Sequence, residues 1–224
     1  MTMLLDSSAA HAQPIWRSWG NRFQGTLLIR NGDFDSGLAL LRTALEQSPE
    51  ASFQPRFTWF LGQLAEGLGR AGQIAEGLNA IDEALARSER NEDRWCIAEL
   101  LRVKGELVLL QGGSGAAGAA EDHYQQGLDC ARRQGALSWE LRAATSLARL
   151  LRDHDRCAEA MALVASIYNR FTEGFETADL KAAKALLDGF YNTEGTSRSL
   201  LMDAPHKARA FVEFSPGTAR RRLA

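Results

Sequence analysis

"GLALLRTALEQSPE" (Gly37–Glu50) and "GLNAIDEALARSER" (Gly77–Arg90) say nearly the same thing forty residues apart. Working outward, the same shift lays Trp19 on Trp59, Leu28 on Leu68 and Gly32 on Gly72. It also lays Gly37, Leu38, Leu41, Ala44 and Leu45 on Gly77, Leu78, Ile81, Ala84 and Leu85. Eight agreements within 27 residues make this an internal repeat. A third copy follows at Gly105, Val108, Gly112, Ala120, Tyr124, Gly127 and Leu128. It is three residues longer, and the surplus sits in "GGSGAAG" (112–118), where a loop lengthens at small entropic cost. A fourth, weaker copy reads Ala148, Leu151, Asp155, Ala160, Val164 and Ile167.

Each copy holds two helical patterns. Apolar residues in "FLGQLAEGLGRAG" and "GLNAIDEALA" recur at spacings of three and four, and no alternating run predicts a strand. Breaks fall at Gly32-Asp33, Gly72-Gln73, Gly112–Gly118 and Asp153–Arg156. "QSPEASFQP", "RNEDRW" and "RRQGALSW" supply the turns between copies. A helix pair of this size cannot bury its apolar face alone, so successive pairs must stack. Small residues recur at the centre of each first helix (Gly25, Ala65, Gly105, Ala148) and the start of each second (Gly37, Gly77, Ala120, Ala160). Glycine inside a helix costs about 1 kcal/mol against alanine, so its recurrence predicts close approach of paired backbones.

Composition is that of an ordinary globular protein, 45% apolar and 24% charged, with a net charge of −2. That balance gives no overall pull towards nucleic acid or an anionic membrane. From Asn192 onward, however, six basic residues meet three acidic ones, leaving the body at −5 and the tail at +3. Three cysteines without a paired motif and the absence of a signal-like start predict a cytoplasmic chain with reduced thiols. Periodicity stops after Phe190. We therefore expect the end of a preceding helix or a disordered lead over 1–13, a repeat domain over 14–189 and a disordered tail over 190–224.

The order of small, large and alanine positions resembles the tetratricopeptide signature, lengthened from 34 residues to 40 or more. The resemblance implies an all-α fold: a right-handed solenoid of about four tetratricopeptide-like helix pairs plus a closing helix. "ERNEDRWCIAELLRVKGELVLL" (Glu89–Leu110) and "LSWELRAATSLARLLRDHDRCAEAMALVASIYNRFTEGFETADLKAAKALLD" (Leu137–Asp188) carry a narrower likeness. They resemble the C-terminal repeat region of bacterial multidomain signalling ATPases, fused to a class III adenylate/guanylate cyclase or a winged-helix regulator. The likeness spans roughly residues 5 to 189. The phosphate-binding pattern GxxxxGK[ST] of those ATPases is missing, so it implies the fold and a regulatory role, not the catalysis. The apolar opening at Met3, Leu4, Leu5, Ile15 and Trp16 points to a fragment of a longer protein, or to an end that another chain covers.

Little else promises chemistry. His154 and Cys157 stand one helical turn apart, and His123 and Cys130 two turns apart, but no CxxC pair accompanies them. A closed zinc site wants four converging ligands. The expectation is no metal, no cofactor and no catalytic residue, with Cys130 and Cys157 packed as small apolar groups and the histidines at the surface.

The working surface is expected where first helices line one face. Tetratricopeptide-like proteins hold peptides on such a stripe. Carried over, it comprises Trp19, Arg22, Thr26, Ile29 and Arg30, then Trp59, Gly62, Glu66, Gly69 and Arg70. It continues with Glu99, Arg102, Glu106, Leu109 and Leu110, then Arg142, Thr145, Arg149, Arg152 and Asp153. Trp19, Arg22, Arg30, Trp59, Arg70, Arg102, Arg142, Arg149 and Arg152 are its candidate partner-binding residues, suited to an acidic, partly aromatic protein segment. The alternative is that Glu99–Arg102 and Glu66–Arg70 are surface pairs within a helix and the tryptophans core packing. Self-association through the N-terminal end is a further expectation. Two functional readings stay open: an interaction module, or a structural remnant of a signalling protein with no separate activity.

Overall fold

The computed structural model describes residues 14–47 and 56–202, with side chains over 16–47 and 56–190. The expected lead, the turn at 48–55 and residues 203–224 lie outside the described residues. Among those described there are nine helices and no strand. They are α1 (Pro14–Arg30), α2 (Phe34–Glu46), α3 (Phe57–Arg70), α4 (Ile74–Arg90) and α5 (Ile97–Gln111). Then come α6 (Ala116–Gln134), α7 (Leu137–Asp153), α8 (Cys157–Tyr168) and α9 (Ala178–Met202). None is long and apolar enough to cross a membrane.

The turns explain why the copies hold register. Gly32 and Gly72 take positive φ (91° and 79°), and the next amide reaches back to the helix, Asp33 to the Leu28 carbonyl and Gln73 to that of Leu68. This is a glycine helix stop, satisfying carbonyls the helix leaves open. In the fourth copy Asp155 takes the same left-handed role at φ 60°, with Arg156 N–H reaching Leu151 O at 2.9 Å. The third break is tighter than expected: α6 already begins at Ala116, and Gly118 is helical. The chain reverses over Gly112, Gly113 and Gly115, all at positive φ.

Packing follows the pairs. α1–α2, α3–α4, α5–α6 and α7–α8 pack as hairpins, and each second helix also meets the next first helix. First helices touch in sequence as well, α1 with α3, α3 with α5 and α5 with α7. One core cluster joins Ile29, Leu38, Leu41 and Leu45 to Phe60, Leu64 and Leu68. The next joins Ala65, Ile81 and Ala84 to Cys96, Leu100, Val103 and Leu107. A pair thus buries its apolar face against the first helix of its successor, at about 1.5–3 kcal/mol for each large side chain removed from water.

The close approach is present where glycine pairs. A Cβ at Gly25 would stand 3.0 Å from Gly37 O, and one at Gly37 would stand 2.9 Å from Gly25 O. A Cβ at Gly77 would meet Ala65 O at 3.1 Å. In the third copy Gly105 instead seats the Tyr124 ring, 2.5 Å from where its Cβ would be.

Residues 14–187 belong to one compact unit and those from 188 to another. In the second, the backbone stays helical to Met202, past Phe190 where the periodic pattern ends.

Candidate functional site

The first helices α3, α5 and α7 bring a chain of charges onto one face. At its centre Arg102 grips Glu99 with two parallel hydrogen bonds, Nε to Oε2 at 3.0 Å and Nη2 to Oε1 at 2.9 Å. Nη2 also donates to Glu66 Oε1 of the preceding copy at 2.7 Å. Nη1 reaches Glu106 at 3.4 Å. From the following copy Arg142 pairs with Glu99 at 2.8 Å, and Ser146 Oγ donates to Glu106 at 2.6 Å. Three copies are thus tied by one network.

Arg102 and Glu99 are only 6% and 2% exposed. A buried pair is tolerable when each charge is met and hydrogen-bonded, and here each is. Burial disfavours the Arg102 charge, but Glu99 and then Glu66 outweigh it and hold the guanidinium well above its ordinary range. Burial would likewise raise the Glu66 carboxyl, yet Arg102, then Arg142 and Arg70, keep it below the usual carboxylate value. Tyr124 is pushed up, first by burial and then by the Glu106 charge.

Beside the network lies a polar cavity of about 200 Å³. Glu66, Arg102, Arg142, Thr145, Ser146 and Arg149 line it, and Asp179 and Ala182 of α9 close it. Arg149 is exposed and carries no ion pair among the described residues. Its guanidinium is the one most available to a ligand.

The structure distributes the other candidates widely. Arg22 is 2% exposed, its Nε donating to Ala44 O at 3.4 Å and its guanidinium over the Phe57 and Phe60 rings. Trp19 and Trp59 are half-buried in an aromatic run with Phe23 and Phe60. Trp59 also packs against both core clusters. Arg30 is exposed at the end of α1. Arg70 lies over the Phe34 ring at 5.1 Å, not against Glu66. Arg152 pairs with the adjacent Asp153 at 3.0 Å. Gly62 and Gly69 face Leu100 and Leu107 of α5. The Glu99–Arg102 pair, read as a surface pair within a helix, is within a helix but buried, and Glu66 and Arg142 join it from the neighbouring copies. The reading missed Ser146, Asp179 and Ala182, because the α7–α9 juxtaposition has no signal in the forty-residue period.

Among the described residues no group of three or more His, Cys, Asp or Glu could hold a metal. Cys130 is buried as expected, but Cys157 is exposed, since it opens α8 where the turn leaves it uncovered. His154 is exposed, whereas His123 is half-buried and its pKa lowered, by burial and then by Lys104. Glu121, in the second turn of α6, pairs with Arg156 at 2.7 Å.

No family model and no curated protein matches the chain. Solved structures do. BtubC (BKLC) from P. vanneervenii is similar at a TM-score of 0.65 and 18% identity, over 97% of this chain and 96% of that one. A putative kinesin light chain with nearly identical tetratricopeptide-like repeats, from Podospora anserina, is similar at 0.59 and 14% identity, over 83% and 90%. The fold is therefore an all-α, tetratricopeptide-like repeat.

Proposed function

We propose that the chain is a non-catalytic interaction module whose first-helix face holds a segment of a partner protein. The observation that carries this is convergence: side chains from three copies and from α9 meet at one polar cavity. No single copy makes that site, so it exists only in the stacked array. Arg149, with Arg142 beside it, offers donors to a carboxylate of the partner, while Glu66 and Asp179 offer acceptors to its amides. The half-buried tryptophans Trp19 and Trp59 extend the same face with flat apolar area. A cognate ATPase or cyclase module is the partner that the sequence likeness favours.

The test is recovery of bound protein from extract by the native chain and by an Arg142→Glu/Arg149→Glu variant, followed by titration with the purified partner. Arg22 and Arg102 stay unchanged, because both are buried and hold helices together. A partner whose affinity falls at least tenfold in a variant of unchanged helicity supports the groove. Equal affinity removes it. Absence of any partner for the folded native chain favours the remnant.

A further inference from the structure

A second cavity, of about 400 Å³, shares no lining residue with that groove and lies at the turn between α4 and α5, against the end of α6. Its floor is apolar: half-buried Ile97 and buried Cys130, both in a small cluster against which Trp139 packs. Its rim is Arg94, Arg133, Gln134 and Glu89. The wall is fixed, since Gln134 Nε2 donates to Arg94 O at 2.7 Å across the gap. Trp95 stands next to it, 36% exposed, with its ring centroid 5.7 Å from that of Trp139. Arg56 lies over the outer face of Trp95 at 5.2 Å.

Like Arg149 in the groove, the cations here lack a carboxylate partner among the described residues, in contrast to several others. Arg42, Arg87, Arg90, Arg102, Arg132, Arg156 and Arg170 all meet carboxylates within 4 Å. Neither Arg94 nor Arg133 does so among the described residues, although both are exposed on the cavity rim. Arg133 is partly explained as a cation near the C-terminal end of α6; Arg94 precedes the N-terminus of α5, where a cation is unfavourable. Two arginines without a carboxylate partner on a rim shared with Gln134 and Glu89, around an apolar floor and beside an aromatic pair, fit one kind of ligand. The floor takes a bulky apolar side chain, and the guanidinium forks take carboxylates flanking it.

We propose that this cavity, with Trp95 and Trp139, is a second docking surface, for a short acidic segment carrying one bulky apolar residue. It is separate from the groove, so a partner could engage both at once and gain avidity by linkage.

The five tryptophans give a direct readout. Their indole N–H resonances, assigned by single Trp→Phe variants, are followed while acetyl-EELEE-amide is added to the full chain. The expected result is a saturable shift of Trp95 or Trp139, with Trp19 and Trp59 unmoved. Acetyl-KKLKK-amide and acetyl-EEGEE-amide should give no saturable shift, and Arg94→Glu/Arg133→Glu should weaken the response at least tenfold. No saturation by about 10 mM peptide, an equal response to the lysine peptide, or movement of Trp19 and Trp59 instead would overturn the proposal. The peptide comparisons do not need the Arg94→Glu/Arg133→Glu variant, so they decide even if it misfolds. The groove reading is untouched by that failure, because its test rests on Arg142 and Arg149.

Discussion

Gly37 and Gly118 are both helical glycines, and alanine should have opposite effects at the two. A Cβ at Gly37 would lie 2.8 Å from the Ile29 amide nitrogen and 2.9 Å from Gly25 O, both backbone atoms that cannot swing aside. One at Gly118 would meet nothing within 4 Å. Gly118→Ala should therefore stabilise by about 0.5–1 kcal/mol through helix propensity. Gly37→Ala should lose roughly 1–3 kcal/mol from overpacking despite the same gain. Thermal melts followed by circular dichroism check both, and a stabilised Gly37→Ala would refute the close approach. Arg102 obeys a different rule. Its removal leaves Glu99 buried with only Arg142 opposite, so Arg102→Met should cost about 3–5 kcal/mol. Adding Glu99→Leu should return much of that loss in urea unfolding. If the double variant is no better than the single, the penalty lies in packing and not in the orphaned charge.

Between helices, register is set by which side of each contact is small. Arg22, Gly62 and Arg102 occupy one repeat position, forty residues apart, and so do Ile29 and Gly69. Ile29 enters the space at Gly67, whereas at the next interface Leu107 enters the space at Gly69. The same contact is made twice with the large partner on opposite helices. Gly69→Ala would put a Cβ 2.5 Å from Leu107 Cδ2, and Leu107 is too buried to yield. We expect the single change to cost about 1–3 kcal/mol, and to cost at least about 0.5 kcal/mol less in a Leu107→Ala background. Strict additivity in a double-mutant cycle would mean the two never meet. This level was largely legible: the glycine stops, the pairing and the copy number all follow from the period. What the period hid was Gly118 inside a helix, since the surplus glycines of the third copy read as one long loop.

Across the array, the spacing proposes a stripe of arginines but does not report the state of each charge. Arg22, Arg102, Arg142 and Arg149 look alike along the chain, yet two are buried, one is shared with Glu99, and one is open. That difference depends on Glu66, Glu99 and Glu106 arriving from two helices, which spacing within one copy cannot report. The network also makes stability pH-dependent with a definite sign. Glu66 is held below its ordinary range in the folded chain, so near pH 4 the unfolded state binds more protons, and stability rises with pH there. The contribution is fully present above the unfolded carboxylate pKa of about 4.3 and is lost as pH falls through the folded value. Glu66→Gln keeps the shape but removes the charge. At pH 7 it should melt several degrees lower than the native chain, on the order of 1 kcal/mol for a domain this size. The gap should close as pH is lowered from about 5 towards 3, because the native carboxyl is then protonated too. A gap unchanged across that window would mean that the loss in Glu66→Gln does not come from the carboxylate charge, and that α3, α5 and α7 are held together without it.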